Sequence, residues 1–170
     1  KMDYNSNKYL MGSPAIGNLD DDESLEVVFT GYSSNNMLFV INADGSDVAG
    51  FPLELGEKVK AGVALADFND NGKDDIVLGT DDNHVYLIYD NGFEAPGFPF
   101  KVDDKIQTAP SILDVNGDKI IFAGSLDSNL YAINSDGSLR FIVEANNEIE
   151  TSPSFLRHNE NQYIFFGAND

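Results

Sequence analysis

Apolar residues along this chain come in short bursts, each closed by an acidic or glycine-bearing turn. Val27-Val28-Phe29, Ile76-Val77-Leu78 and Ile120-Ile121-Phe122 are continuous apolar triplets. A run without alternation predicts a strand covered on both faces. Before each triplet lies a segment of small or short apolar residues: Ala15-Ile16, Val63-Ala64-Leu65 and Ser111-Ile112-Leu113. After each comes a third apolar segment, MLFVIN (37–42), VYLIYD (85–90) or LYAIN (130–134). These end at Asp44-Gly45, Asn91-Gly92 and Asp136-Gly137, dipeptides that supply the positive-φ backbone of tight hairpins. A fourth stretch is more polar (LELGEKVK, FKVDDKIQ and the segment after Arg140), which suits an exposed outer edge. No segment has a helical period with caps.

The bursts form a repeat. SPAIGNLDDDESLEVVFTG (13–31), AGVALADFNDNGKDDIVLG (61–79), APSILDVNGDKIIFAG (109–124) and SPSFLRHNENQYIFFG (152–167) align, with Asn18, Asp67, Asp114 and Arg157 at matching points. Four-stranded units of about 40–50 residues in tandem predict an all-β fold, a β-propeller or part of one, built from antiparallel blades. The expected blades are 13–60, 61–107 and 108–150, with a partial blade at 151–170. Residues 1–12 read as the outer strand of a preceding or closing blade. A solenoid of β-hairpins is the structural competitor, disfavoured because the small first-strand residues suit a crowded central axis. The count does not close a ring. A larger propeller, a small four-bladed ring, or two copies completing each other all fit it.

Net charge is −19 and the pI is near 4.1. Such a surface is a poor partner for nucleic acid and for anionic lipid. It suits a salty or extracellular medium, or carboxylates that await divalent cations. There is no cysteine, hence neither a disulfide nor a thiolate metal site. No apolar run approaches a membrane span, and no signal peptide is visible.

With SPAIGNLDDDESLEVV, ALADFNDNGKDDIVLG, the NADG and NSDG turns and the two GFP tripeptides (50–52 and 97–99) in view, the chain resembles the FG-GAP/VCBS class of repeats. These occur in integrin-α-type propellers and many secreted bacterial proteins. The segment 124–141 also resembles quinoprotein-like propeller repeats, as shared blade geometry. The FG-GAP resemblance implies calcium loops of the form D-x-D-x-D-G-x-x-D. Calcium takes six to eight oxygens, and a short loop offers them from alternate side chains, a glycine bend and a carbonyl. On that pattern Asp67, Asn69, Asn71, the Lys73 carbonyl and Asp75 form the best-kept site. Asn18, Asp20, Asp22, the Ser24 carbonyl and Glu26 form a second, with Glu23 where glycine belongs. The third loop (114–118) lacks the ninth-position acid, and the fourth opens on Arg157. An EF-hand is excluded, because Leu78 stands at the twelfth position and no helices flank the loop.

No catalytic constellation is visible. His84 and His158 lack partner sets, and the acid pairs Asp81-Asp82 and Asp103-Asp104 read as solvated charge. Tyr32, Phe93 and Phe98 could stack on sugar rings, although Phe51 and Phe98 fit better between blades. The expected function is a non-catalytic, calcium-stabilised binding, adhesion or scaffold module, outside the cell, at its surface or in a periplasm. Its ligand would be protein or carbohydrate. The alternatives are a lectin-like module and a glycan-active, polysaccharide lyase-like enzyme, which would need a basic cluster that 10 Lys+Arg and 2 His hardly supply.

Overall fold

The computed structural model describes residues 10–32 and 37–169. Most of the strand expected at 1–12 lies outside them, and residues 10–12 form none. All regular structure among the described residues is β. Sheet 1 holds β1 (Ala15–Gly17), β2 (Glu26–Thr30), β3 (Met37–Ile41) and β4 (Leu53–Glu54). Sheet 2 holds β5 (Ala64–Ala66), β6 (Asp75–Gly79), β7 (His84–Ile88) and β8 (Phe100–Lys101). Sheet 3 holds β9 (Ser111–Val115), β10 (Asp118–Gly124), β11 (Asn129–Asn134) and β12 (Leu139–Glu144), and sheet 4 holds β13 (Ser154–His158) and β14 (Asn161–Phe165). Each sheet is an antiparallel meander in sequence order, the arrangement of a propeller blade.

The apolar triplets explain how the sheets stack. Along β6 the side chains alternate: Ile76 and Leu78 enter the seam with sheet 1, whereas Val77 enters the seam with sheet 3. In β10 Ile121 and Ala123 face sheet 2, while Ile120 and Phe122 face sheet 4. Both faces are dry, so an unbroken apolar run is required. Each fully buried Leu or Ile in such a seam contributes about 1.5–3 kcal/mol. Phe51 and Phe98 lie in the seams between sheets 1 and 2 and between sheets 2 and 3, as the GFP tripeptides suggested. Phe98 is therefore no platform for a sugar.

The fourth strands of sheets 1 and 2 differ from expectation, whereas β12 is an exposed outer strand of six residues. β4 and β8 contain two residues each, because the polar remainder leaves the ladder and crosses to the next sheet. One apolar residue in each crossing, Val59, Ile106 or Ile149, plugs a seam and is fully buried. Ile106 packs so tightly on Gly79 that a Cβ there would sit 2.0 Å from its Cγ2, and Gly124 stands in the same relation to Ile149.

Candidate functional site

Glu26 and Asp75 are equivalent, each opening the second strand of its sheet. They take the place of an inward side chain and are fully buried. Ladder register puts Ile120 of β10 and Tyr163 of β14 at the same place. The ninth-position acid thus survives in two blades and gives way to Ile and Tyr in the other two. Two carboxylates inside dry seams need a physical reason, since burying an unpaired charge is costly.

Around Asp75 the protein supplies the partners. Phe68 N–H donates to Oδ2 at 2.8 Å and Asp90 N–H to Oδ1 at 3.0 Å. Burial outweighs these bonds and, with Asp90 and Asp67 nearby, raises the carboxyl to about 6. The rest of this loop is likewise self-satisfied. Asp67 accepts from Asn71 N–H (3.1 Å) and Gly72 N–H (2.7 Å), Asn69 from Asn71 N–H, and Asn71 Oδ1 from Lys73 N–H (2.8 Å). The Asn71 amide donates to Asp90 at 3.0 Å. Gly72, at φ +87°, makes the bend that glycine was expected to make.

The first loop is differently satisfied. Leu19 N–H donates to Glu26 Oε2 at 2.7 Å, but Glu26 Oε1 is buried without a hydrogen bond. Asn18 Oδ1 is also buried and unpartnered, while its amide donates to Gly72 O at 3.1 Å. Ligand oxygens of Asp20, Asp22 and Glu26 lie within 4.8 Å of one another. Two oxygens on opposite sides of a calcium ion stand about 4.8 Å apart, so the triad has the spacing of a coordination shell. Desolvation, followed by the charges of Asp20 and Asp22, raises the Glu26 carboxyl against its Leu19 bond. Glu23 has no positive φ, so this loop takes another path instead of straining.

Asp114 caps Gly117 N–H at 2.7 Å in a tight Asn116-Gly117 turn, and the fourth loop is a bare hairpin. Lysines join successive loops: Lys73 lies 2.8 Å from Asp21 and 3.6 Å from Asp90, and Lys119 lies 3.3 Å from Asp70. The Asp21 hydrogen bond leads the upward shift of the Lys73 ammonium. Sequence spacing did not show these bridges, nor that Glu26 holds the less satisfied carboxylate. The available signal was an acid set directly against a both-faces-buried triplet. His84 Nδ1 lies 3.0 Å from Asp82, which also bonds Thr80 Oγ1.

Two hollows among the described residues bear on binding. One of about 340 Å³ gathers Gly12, Ser13, Gly62, Thr108 and Ser152 from the entries to the first strands. Another, of about 330 Å³, lies between sheets 2 and 3 over Phe68 and Tyr89, rimmed by Pro96, Gly97, Ser135 and Asp136. Phe93 is exposed and Tyr32 is half-buried under Lys58.

No protein-family model matches the chain, and no curated protein matches it. Among solved structures it is similar to BamB from Moraxella catarrhalis, at 16% identity and TM-score 0.69, covering 97% of this chain and 45% of that one. It is similar to BBS1N in complex with ARL6DN, at 10% identity and TM-score 0.57, over 93% and 61% of the two chains. It is also similar to the computationally designed Ika4 protein, at 15% identity and TM-score 0.55, over 94% of each. The chain spans about half of the BamB chain and less than two thirds of BBS1N. BamB and BBS1N are β-propellers, and the all-β, four-stranded blades seen here share that fold.

Proposed function

We propose that this is a calcium-stabilised propeller module of the FG-GAP/VCBS kind that binds a protein partner outside the cell and performs no catalysis. One observation carries the metal: the buried, unpartnered Glu26 Oε1 beside Asp20 and Asp22, with Asn18 Oδ1 equally unpartnered. A divalent ion among the three carboxylates satisfies Glu26 Oε1, with Asn18 as the further ligand the loop pattern implies, and its role is to pin the loop between β1 and β2. Asp67, Asn69, Asn71, the Lys73 carbonyl and Asp75 form the second site in this reading, weaker because both Asp75 oxygens already accept backbone N–H groups, whereas Glu26 leaves one oxygen without a partner. A protein partner is supported by the likeness to BBS1N, a propeller seen in complex with another protein. The extracellular setting is supported by the net charge of −19 and by modest ligand charge, which suits millimolar calcium.

Thermal melting in calcium and in chelator tests this. A ligand that binds only the folded state raises Tm by about 5–10 °C at a hundredfold excess over Kd for a chain this size. Glu26→Gln keeps an acceptor for Leu19 N–H and removes the buried charge, so it abolishes the calcium increment and raises Tm in chelator. Identical wild-type curves with and without calcium sink the metal reading.

A second reading, carbohydrate binding, is favoured by the hollow over Phe68 and Tyr89 with the Asp136 carboxylate on its rim. Hydrogen bonds from Ser138 Oγ and N–H hold that carboxyl below the usual range, so it stays an acceptor. A glycan array scored with wild type and Tyr89→Ala decides it, since binding that survives the loss of the ring does not use this hollow.

A further inference from the structure

The hollow over Phe68 and Tyr89 lies between sheets 2 and 3, each complete with four strands. It coincides with a departure from the repeat. In sheets 1 and 3 an asparagine stands three residues before the hairpin glycine and a serine one residue after it. The two side chains bond: Asn42 Nδ2 donates to Ser46 Oγ and Asn134 Nδ2 to Ser138 Oγ, each at 2.9 Å. Sheet 2 carries Tyr89 and Phe93 at those places. The exchange gives up a polar bond and leaves Phe93 71% exposed, so burial of that ring does not account for it.

The rim of the hollow is anionic. Asp136 Oδ1 accepts from Ser138 N–H at 2.9 Å and from Ser138 Oγ at 2.6 Å, which fixes the carboxylate beside the rings. Lys119 and Arg140, the basic residues in the strands of sheet 3, are engaged elsewhere, with Asp70 and Asp118. The neighbouring seam treats the matching place differently. Counted back from the hairpin glycine, Asp90 of sheet 2 corresponds to Ser135 of sheet 3, and Lys73 lies 3.6 Å from Asp90. Sheets 1 and 2 thus set a lysine of the chain against that hairpin. The hollow between sheets 2 and 3 has two rings and a carboxylate, and no cation in its lining.

We propose that this hollow seats an arginine side chain of the protein partner, its guanidinium stacked on Tyr89 and forked onto the Asp136 carboxylate. This rests on the reading that the module binds a protein. Aromatic rings attract a cation, and a planar, weakly hydrated guanidinium suits both a ring and a carboxylate better than an ammonium does. A sugar would ask the lining for several donors, but Pro96 has no N–H and an ionised Asp136 only accepts. The net charge of −19 also favours the encounter with a basic partner segment.

The test is an amide-resolved NMR titration of the full chain with N-acetyl-arginine amide, beside N-acetyl-citrulline amide, which keeps the shape without the charge. Saturable shifts centred on Tyr89 and Asp136 are expected, with the citrulline probe binding at least about fivefold more weakly. Tyr89→Ala and Asp136→Asn should each weaken arginine binding about fivefold. Asparagine keeps an acceptor for both Ser138 bonds, so Tm is retained. If Tyr89→Ala lowers Tm, the comparison of the two probes on the unchanged protein still decides. Asp44→Asn, in the matching turn of sheet 1 with the same bonds from Ser46, should leave binding unchanged. Equal losses from Asp44→Asn and Asp136→Asn would mean unspecific attraction to an acidic surface and overturn the proposal. So would equal affinity for the two probes, the lack of a saturable shift, or shifts at Tyr89 from methyl glucoside in place of the arginine probe. The probe is a single amino acid, so its failure removes this seat and leaves the protein-partner reading standing.

Discussion

An acid placed against an apolar strand must either find donors or hold its proton, and Asp75 does some of each. Its pKa of about 6 lies above the unfolded value of about 3.9. Between those values the folded state binds more protons, so this group's contribution to stability falls as pH rises from about 4 to about 6, then stays flat. In chelator, the Tm difference of Asp75→Asn minus wild type should therefore rise through that window and level off above it. A difference that is constant with pH would show that Asp75 titrates normally. At this scale the sequence was partly legible. The spacing of Asp67, Asn69, Asn71 and Asp75 marks a loop, but counting acids cannot reveal which oxygens the backbone has already claimed. Asp75 and Glu26 look alike in sequence; in the fold, both Asp75 oxygens accept N–H groups, whereas Glu26 Oε1 and the nearby Asn18 Oδ1 are left without a partner.

Strands one to three of each blade could be read directly, because triplets such as Ile76-Val77-Leu78 admit few alternatives to a doubly covered strand. Of the outer strands only β12, in the segment around Arg140, matches its reading. FKVDDKIQ looks like one polar edge strand, yet only Phe100–Lys101 pairs, because Ile106 is pulled into the seam. The hairpin glycines provide the test at this scale. Gly97 has φ +87°, and a Cβ there would lie 2.0 Å from Asp136 O, across the meeting of two hairpins. Gly72 has the same φ with nothing within 4 Å. Gly72→Ala should cost about 1 kcal/mol, the left-handed penalty alone. Gly97→Ala should cost about 2–4 kcal/mol, because backbone must also move. Denaturant titration of both separates steric closeness from conformation, and equal losses would mean the two hairpins can part freely.

At the scale of the whole molecule, the seams hold the chain together against its own charge. With a net charge of −19, self-repulsion opposes the compact state. Raising sodium chloride from about 10 mM to 0.5 M shortens the screening length from about 30 Å to a few ångströms. The Tm of the chelated protein should climb across that range. A fall would mean that ion pairs such as Arg140–Asp118 outweigh the repulsion. The seams also explain why the fold was legible while the partner was not. Periodic apolar triplets are demanded by stacking, whereas a binding surface needs no period.

Lys73 and Lys119 each reach back to the fourth residue of the preceding loop, Asp21 and Asp70. Dialysis strips a dissolved ion from a loop but cannot remove a cation bonded to the chain. The gaps from the first loop to the second and from the second to the third are thus bridged by counter-ions that the protein synthesises as part of itself.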